Sequence, residues 1–349
     1  MTLGGDARRS AKGVVAQPAR DVDEVEECRR CGSGVDESRD VDPCILRPFP
    51  EGNMPTVSRS GLRGLSTMEM QVRRYRIVHN TYYNFAAPVE LGPHTLRLRP
   101  REGHDLRIEA STLEIDPPAT LQWHRDAESN SVATARFSGR SAKLAILSEL
   151  IVQQFPPPTT DPCSATFSDT AVDEAVLSPY LGVVVDSQLT GWLPPTPRPA
   201  TSAQSHAVLE TLCRRVQQVL HYRVRDEPGV QSVAETLQSG SGSCRDFAHL
   251  FIEAARSWGY AARFVSGYLH AAPSPDHFGA THAWAEVYVV GCGWCGFDPT
   301  LGRASGPEHF PVSVARLPES VPPVAGSITG PAGTTMDVGV WVTELPVVA

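Results

Sequence analysis

Lysine is almost missing from this sequence. Lys12 and Lys143 are the only two, so 31 basic residues less two lysines leaves 29 arginines. Acidic residues outnumber basic ones by 39 to 31, giving a net charge of −8. No basic domain or stripe stands out, which excludes an electrostatic nucleic-acid binder. Long apolar runs are missing too. Stretches such as residues 181–185 fall far below the ~20 residues that cross a bilayer as a helix, which excludes a membrane-spanning helix and argues against a membrane partner. The N-terminus lacks the apolar core of a signal peptide, so the cytoplasm is the expected compartment, with reduced, free thiols. Eight cysteines in 349 residues are too sparse for a disulfide scaffold. Each must instead be a nucleophile, a metal ligand or a packing residue.

Aromatics and apolar periodicity are scarce in residues 1–67, where arginine mixes with aspartate, glutamate, glycine and serine. That stretch reads as a disordered extension, or as sequence upstream of a start at Met68 or Met70. Residues 70–156 have the texture of an all-β, sandwich-like domain. Short alternating runs at 76–79, 95–99, 106–115, 132–137 and 144–153 are separated by turn formers such as Pro88, Gly92-Pro93 and Pro117-Pro118. A Pro-rich connection follows over 157–200. In 201–345, apolar residues at helical spacing predict a helix near 205–221 and a short one near 232–237. The clearest helix runs over 244–258, with Phe247, Leu250, Phe251, Ala254, Ala255 and Trp258 on one face. Strands follow at 262–269, 282–290 and 294–297, and residues 337–344 alternate like a closing strand. Helices followed by an antiparallel sheet make this second part α+β.

Cys244 follows a Gly/Ser-rich break and opens the strongest helix, so it falls in the first helical turn. Unsatisfied N–H groups and the positive dipole end gather there, favouring a thiolate and able to stabilise an oxyanion. A buried packing cysteine is the competing reading, and position alone leaves the two about even. His282 begins a strand on which it shares a face with Trp284, Glu286 and Tyr288. If the turn after this strand is centred near Gly291, Asp298 comes opposite Trp284 and diagonal to His282. If it is centred near Cys292, Asp298 moves opposite Glu286, out of reach. An aspartate bonded to an imidazole would fix its tautomer, and the imidazole could then take a thiol proton.

Taken together, the segments Ser243-Cys244-Arg245-Asp246-Phe247, Thr281-His282-Ala283-Trp284-Ala285-Glu286-Val287-Tyr288 and Gly293-Trp294-Cys295-Gly296-Phe297-Asp298-Pro299-Thr300 closely resemble the transglutaminase-like superfamily. Val265-Ser266-Gly267-Tyr268-Leu269-His270 is similar to its bacterial members. Tyr75-Arg76-Ile77-Val78-His79 and Leu96-Arg97-Leu98-Arg99-Pro100-Arg101 are similar to the N-terminal β domain that precedes the core in those relatives. The resemblance implies an α+β, papain-like core with Cys244 as nucleophile, His282 as base and Asp298 as its orienting acid. It implies acyl transfer or hydrolysis at amide or peptide bonds through a thioester, on a protein or peptide bearing an amide or glutamine side chain. Tyr268, Trp284 and Asp246 are candidate substrate-binding residues. A transamidating enzyme with two lysines would offer itself few acceptor amines.

Other readings compete. Cys28, Cys31 and Cys44 suggest half of a zinc site, and Cys292 with Cys295 makes a second C-x₂-C. Neither spacing supplies four ligands, so no metal is expected. No calcium loop is present, so calcium activation is not expected and no cofactor is implied. His249, His270 and His277 are further histidines near the site in sequence, and His249, part-way along the helix, reads as a packing residue. A catalytically silent peptide- or protein-binding scaffold on the same fold is the alternative function.

Overall fold

A computed structural model describes residues 72–155, 174–182, 186–195, 201–271 and 281–346. The expectations for residues 1–67, for Cys163 and for His277 lie outside the described residues. The described residues all lie in one compact unit, 69–349.

The first sheet is built on β1 (Arg73–Leu96), followed by β2 (Leu106–Asp116), β3 (Thr120–Arg125), β4 (Ser131–Arg136) and β5 (Arg140–Gln154). The order is β2-β5-β1-β4-β3. Sequence patterning suggested two strands broken at Pro88 and Gly92-Pro93, but β1 runs through both. A proline removes one ladder donor, which is tolerated where pairing already lapses. The β1–β5 register shifts between Asn84 and Val89, and the pairing on the other side of β1 shifts between Leu91 and His94. The prolines sit at those bulges.

Two short helices, α1 (Glu174–Leu177) and α2 (Ser187–Trp192), lead to α3 (Ser202–Val219). Its buried side is Leu209, Leu212, Cys213 and Val216, a slightly rotated stripe that leaves Val219 exposed. The short strand β6 (His221–Tyr222) precedes α4 (Val233–Ser239) and bridges in parallel to β7 (Ser241–Gly242), immediately ahead of α5 (Cys244–Ser257).

The second sheet is antiparallel throughout. It comprises β8 (Ala262–Leu269), β9 (His282–Val289), β10 (Gly293–Asp298), β11 (Arg303–Ala304) and β12 (His309–Ala315), in the order β11-β10-β9-β8-β12. Helix α5 packs on it, burying Phe247, Leu250, Phe251, Ala254 and Ala255 against Ala283, Ala285, Val287 and Val289 of β9. The fold is therefore α+β as read from the sequence, with a helix carrying Cys244 laid on an antiparallel sheet.

The chain then returns. Strands β13 (Val324–Thr329) and β14 (Thr334–Leu345) both pair with β1. The alternation at 337–344 thus belongs to a strand of the first sheet and does not close the second, because its partner is the far end of the sequence. The two sheets share one apolar cluster, in which Tyr75, Ile77, Leu150 and Val152 meet Tyr268, Phe310 and Val312. Among the described residues, no helix is long and apolar enough to cross a membrane.

One buried cation ties α5 to its surroundings. The Arg256 side chain, 1% exposed, bonds Glu253 Oε1 at 2.6 Å. It also donates to the carbonyls of Tyr180, Ala262 and Arg316. Replacing Arg256 by Met removes the cation paired with the buried Glu253 carboxylate, and denaturant unfolding should read a loss of about 3–5 kcal/mol. A loss below about 1 kcal/mol, the worth of an exposed pair, would contradict this role.

Candidate active site

The site forms where the N-terminus of α5 meets β9 and β10. Ser243 caps α5 in an extended conformation. Asp246, three residues on, reaches back so that its Oδ2 accepts from the Ser243 amide at 2.7 Å and the Ser243 hydroxyl at 2.8 Å. Its Oδ1 accepts from the Gln231 amide at 2.7 Å and from Arg225 at 2.8 Å. Asp246 has no exposure. Burial alone would raise its pKa, but these donors hold the carboxyl below its usual range. The neighbouring arginines are engaged elsewhere: Arg245 bonds the carbonyls of Arg225 and Glu227, and Arg263 pairs with Glu286.

Strands β9 and β10 supply the other two groups. Gly291 and Gly293 take φ of +81° and +83° in the hairpin turn, a region other residues avoid. Phe297 then pairs with Ala285, which puts Asp298 level with Trp284. This is the Gly291-centred register. His282 Nε2 lies 2.7 Å from Asp298 Oδ2. Asp298 is fully buried, and its Oδ1 accepts from the amides of Thr300 at 2.9 Å and Leu301 at 3.2 Å. Burial opposes its charge, yet the hydrogen bonds and charges of His282 and His309 carry its pKa well below the carboxylate range. A carboxylate only accepts, so Nε2 of His282 carries the proton and Nδ1 is left for the sulfur. Burial lowers the His282 pKa, but the Asp298 charge and a hydrogen bond with Cys244 outweigh it, and the value is pushed up to about 10. Cys244, His282 and Asp298 therefore stand in one connected row, with Cys244 and His282 each 8% exposed.

The three candidate substrate-binding residues are all interior, which corrects that expectation. Tyr268 is 1% exposed in the cluster between the two sheets, its hydroxyl donating to Leu98 O at 2.9 Å and bonding His79 Nδ1 at 3.1 Å. Its ring is packed between the two sheets against Tyr75, Phe310 and Val312. Trp284 is 2% exposed, stacked on His282 with centroids 6.1 Å apart. Its ring fills the space over Gly267, where any side chain would collide with it. Asp246 is consumed by the helix start. His249 bonds Gln231 O, a packing role as expected, and the His270 ring tilts against Tyr75.

Sequence reading passed over His309. It opens β12, and its Nε2 lies 3.0 Å from Asp298 Oδ2. The alternation of Phe310, Val312 and Val314 marks a strand, but pairing with β8 is non-local, so nothing in the sequence brings His309 to Asp298. The ligand atoms of His282, Asp298 and His309 lie within 4.8 Å of one another. Two imidazoles and a carboxylate suit a transition metal, yet here both ring protons are directed at the carboxylate. Cys292 is disulfide-bonded, which corrects the expectation of free thiols throughout, while Cys213 and Cys244 are free.

The profile of the bacterial transglutaminase-like N-terminal region matches residues 75–153, and that of the transglutaminase-like superfamily core matches residues 196–299. An uncharacterised protein of Mycobacterium tuberculosis is 30% identical over 294 residues, spanning 76% of this chain and 91% of its own. The chain belongs to the transglutaminase-like superfamily. An uncharacterised protein of Mycobacterium leprae is 27% identical over 286 residues, covering 78% of this chain and 99% of its own. A solved structure of a candidate cysteine protease from Cytophaga hutchinsonii superposes with a TM-score of 0.57 at 17% identity. It covers 80% of this chain and 93% of its own, a likeness of fold. Membership supports thiol-dependent catalysis at the level of the superfamily.

The charge pairing sets a pH dependence. The folded His282 value lies above the ordinary 6.5, so the stability it contributes is complete below pH 6.5 and is lost as pH rises through about 10. The difference in unfolding free energy between wild type and Asp298→Asn should shrink across that window. A difference that stays constant would contradict the pairing.

Proposed function

We propose that this protein is a thiol-dependent acyltransferase or amidase acting on carboxamide or peptide bonds. The observation that carries the reading is the His282 imidazole, bonded at Nε2 to a buried carboxylate and engaged on its other side with Cys244. Cys244 is the nucleophile, His282 the general acid–base and Asp298 the group that orients it. With its pKa raised, the His282 imidazole already holds the Cys244 proton on Nδ1, and the sulfur adds to the carbonyl carbon. The Cys244 and Arg245 amides, which open α5, are the donors proposed for the developing oxyanion, since the first amides of a helix have no partner within it. As the carbon–nitrogen bond breaks, His282 returns the proton to the departing amine or ammonia, leaving a thioester. Water, deprotonated by His282, completes hydrolysis or deamidation; an amine in its place completes transamidation. The substrate class is a protein or peptide carrying an exposed amide.

Glutamine-containing peptides with and without a primary amine test this. Ammonia release and amine incorporation should both fall by roughly 10⁴-fold or more in Cys244→Ala and in His282→Ala. Signals that persist unchanged in the Cys244 variant would refute the mechanism.

A further inference from the structure

Asp298 Oδ2 serves two imidazoles at once. Besides His282, it faces His309 Nε2 at 3.0 Å, and His309 is 5% exposed. The His309 ring is held from three sides. The Gly306 amide donates to Nδ1 at 3.1 Å, which leaves Nε2 as the protonated atom aimed at Asp298. The Trp284 ring meets it edge-on at 5.1 Å and also stacks on His282. Glu308 Oε1 lies 3.5 Å from Nδ1. Burial pushes the His309 pKa down, while Asp298 and Glu308 more than reverse that. Without this second donor, the Thr300 and Leu301 amides would still hold Oδ1, but Oδ2 would answer to His282 alone. The carboxylate could then rotate about the Oδ1 anchor.

We propose that His309 is a positioning residue, which fixes the Asp298 carboxylate and through it the orientation of the His282 imidazole. The inference rests on the acid–base role given to His282 above. His309 acts through Asp298, so its effect falls on the rate of the chemical step and not on binding.

Two variants separate a donor from a filler. His309→Phe keeps a ring and removes the donor, while His309→Gln places an amide N–H where Nε2 was. In the full-length protein, His309→Phe should lower kcat by roughly ten- to a hundredfold, the worth of one hydrogen bond to a charged group. KM should stay unchanged, and His309→Gln should recover most of the rate. Proton NMR of the imidazole N–H shared by His282 and Asp298 reads the same geometry without turnover. That downfield signal should persist in wild type and His309→Gln and broaden away in His309→Phe. The inference is overturned if His309→Phe keeps both kcat and the signal, or if Gln and Phe are equally impaired in both. A wild type that turns over no amide would refute the catalytic reading, and the NMR comparison would still judge His309.

Discussion

A carboxylate taken wholly out of water must have its lone pairs filled, and two such groups frame the reacting pair. Asp246 and Asp298 both have no exposure, and each accepts four hydrogen bonds. Asp246 spends its four on the start of α5, locking the turn that carries Cys244 to Gln231 and Arg225. Asp298 spends its four on the end of β10 and on two imidazoles. An ionised group left partly unsatisfied in such surroundings costs several kcal/mol, so neither can turn without breaking its neighbours' geometry. The sulfur and the imidazole are thereby brought together by two independent anchors, one on each secondary-structure element.

Much of this was legible from residues alone. The apolar face from Phe247 to Trp258 defined α5 to within a residue, and the alternation from His282 onward defined β9. The turn after β9 left two registers open, centred near Gly291 or near Cys292, and the pairing of Phe297 with Ala285 selects the first. What stayed hidden was pairing across long stretches of sequence. His309 meets Asp298 only because β12 adds to β8, and Arg225 meets Asp246 only because β6 bridges to β7. Tyr268 and Trp284 were misjudged for the same reason. Aromatic side chains next to a reactive row look alike in sequence whether they line a cleft or fill a seam. Only the neighbouring sheet, through Tyr75 and Ile77, the adjacent strand's Phe310 and the bare Gly267 decide between the two.

The β1 prolines teach a related lesson about local signals. Pro88 and Pro93 are strong turn markers, and reading them as strand ends follows from the usual chemistry. They fall where bulges interrupt the ladder, so the missing N–H groups cost no pairing. A long strand can thus hide behind residues that would normally end it.

That same strand binds distant parts of the sequence into one event. Arg74 lies beside Gln153 on one side and Leu345 on the other. Half of the partners of β1 are therefore made only after α3, α5 and the whole second sheet. During synthesis, the first five strands emerge with a long open edge that no local segment can cover. Such an edge invites pairing with a second nascent chain, and contacts this far apart slow the closing step. The assembly of the sheet that carries none of the chemistry therefore waits for the part that does.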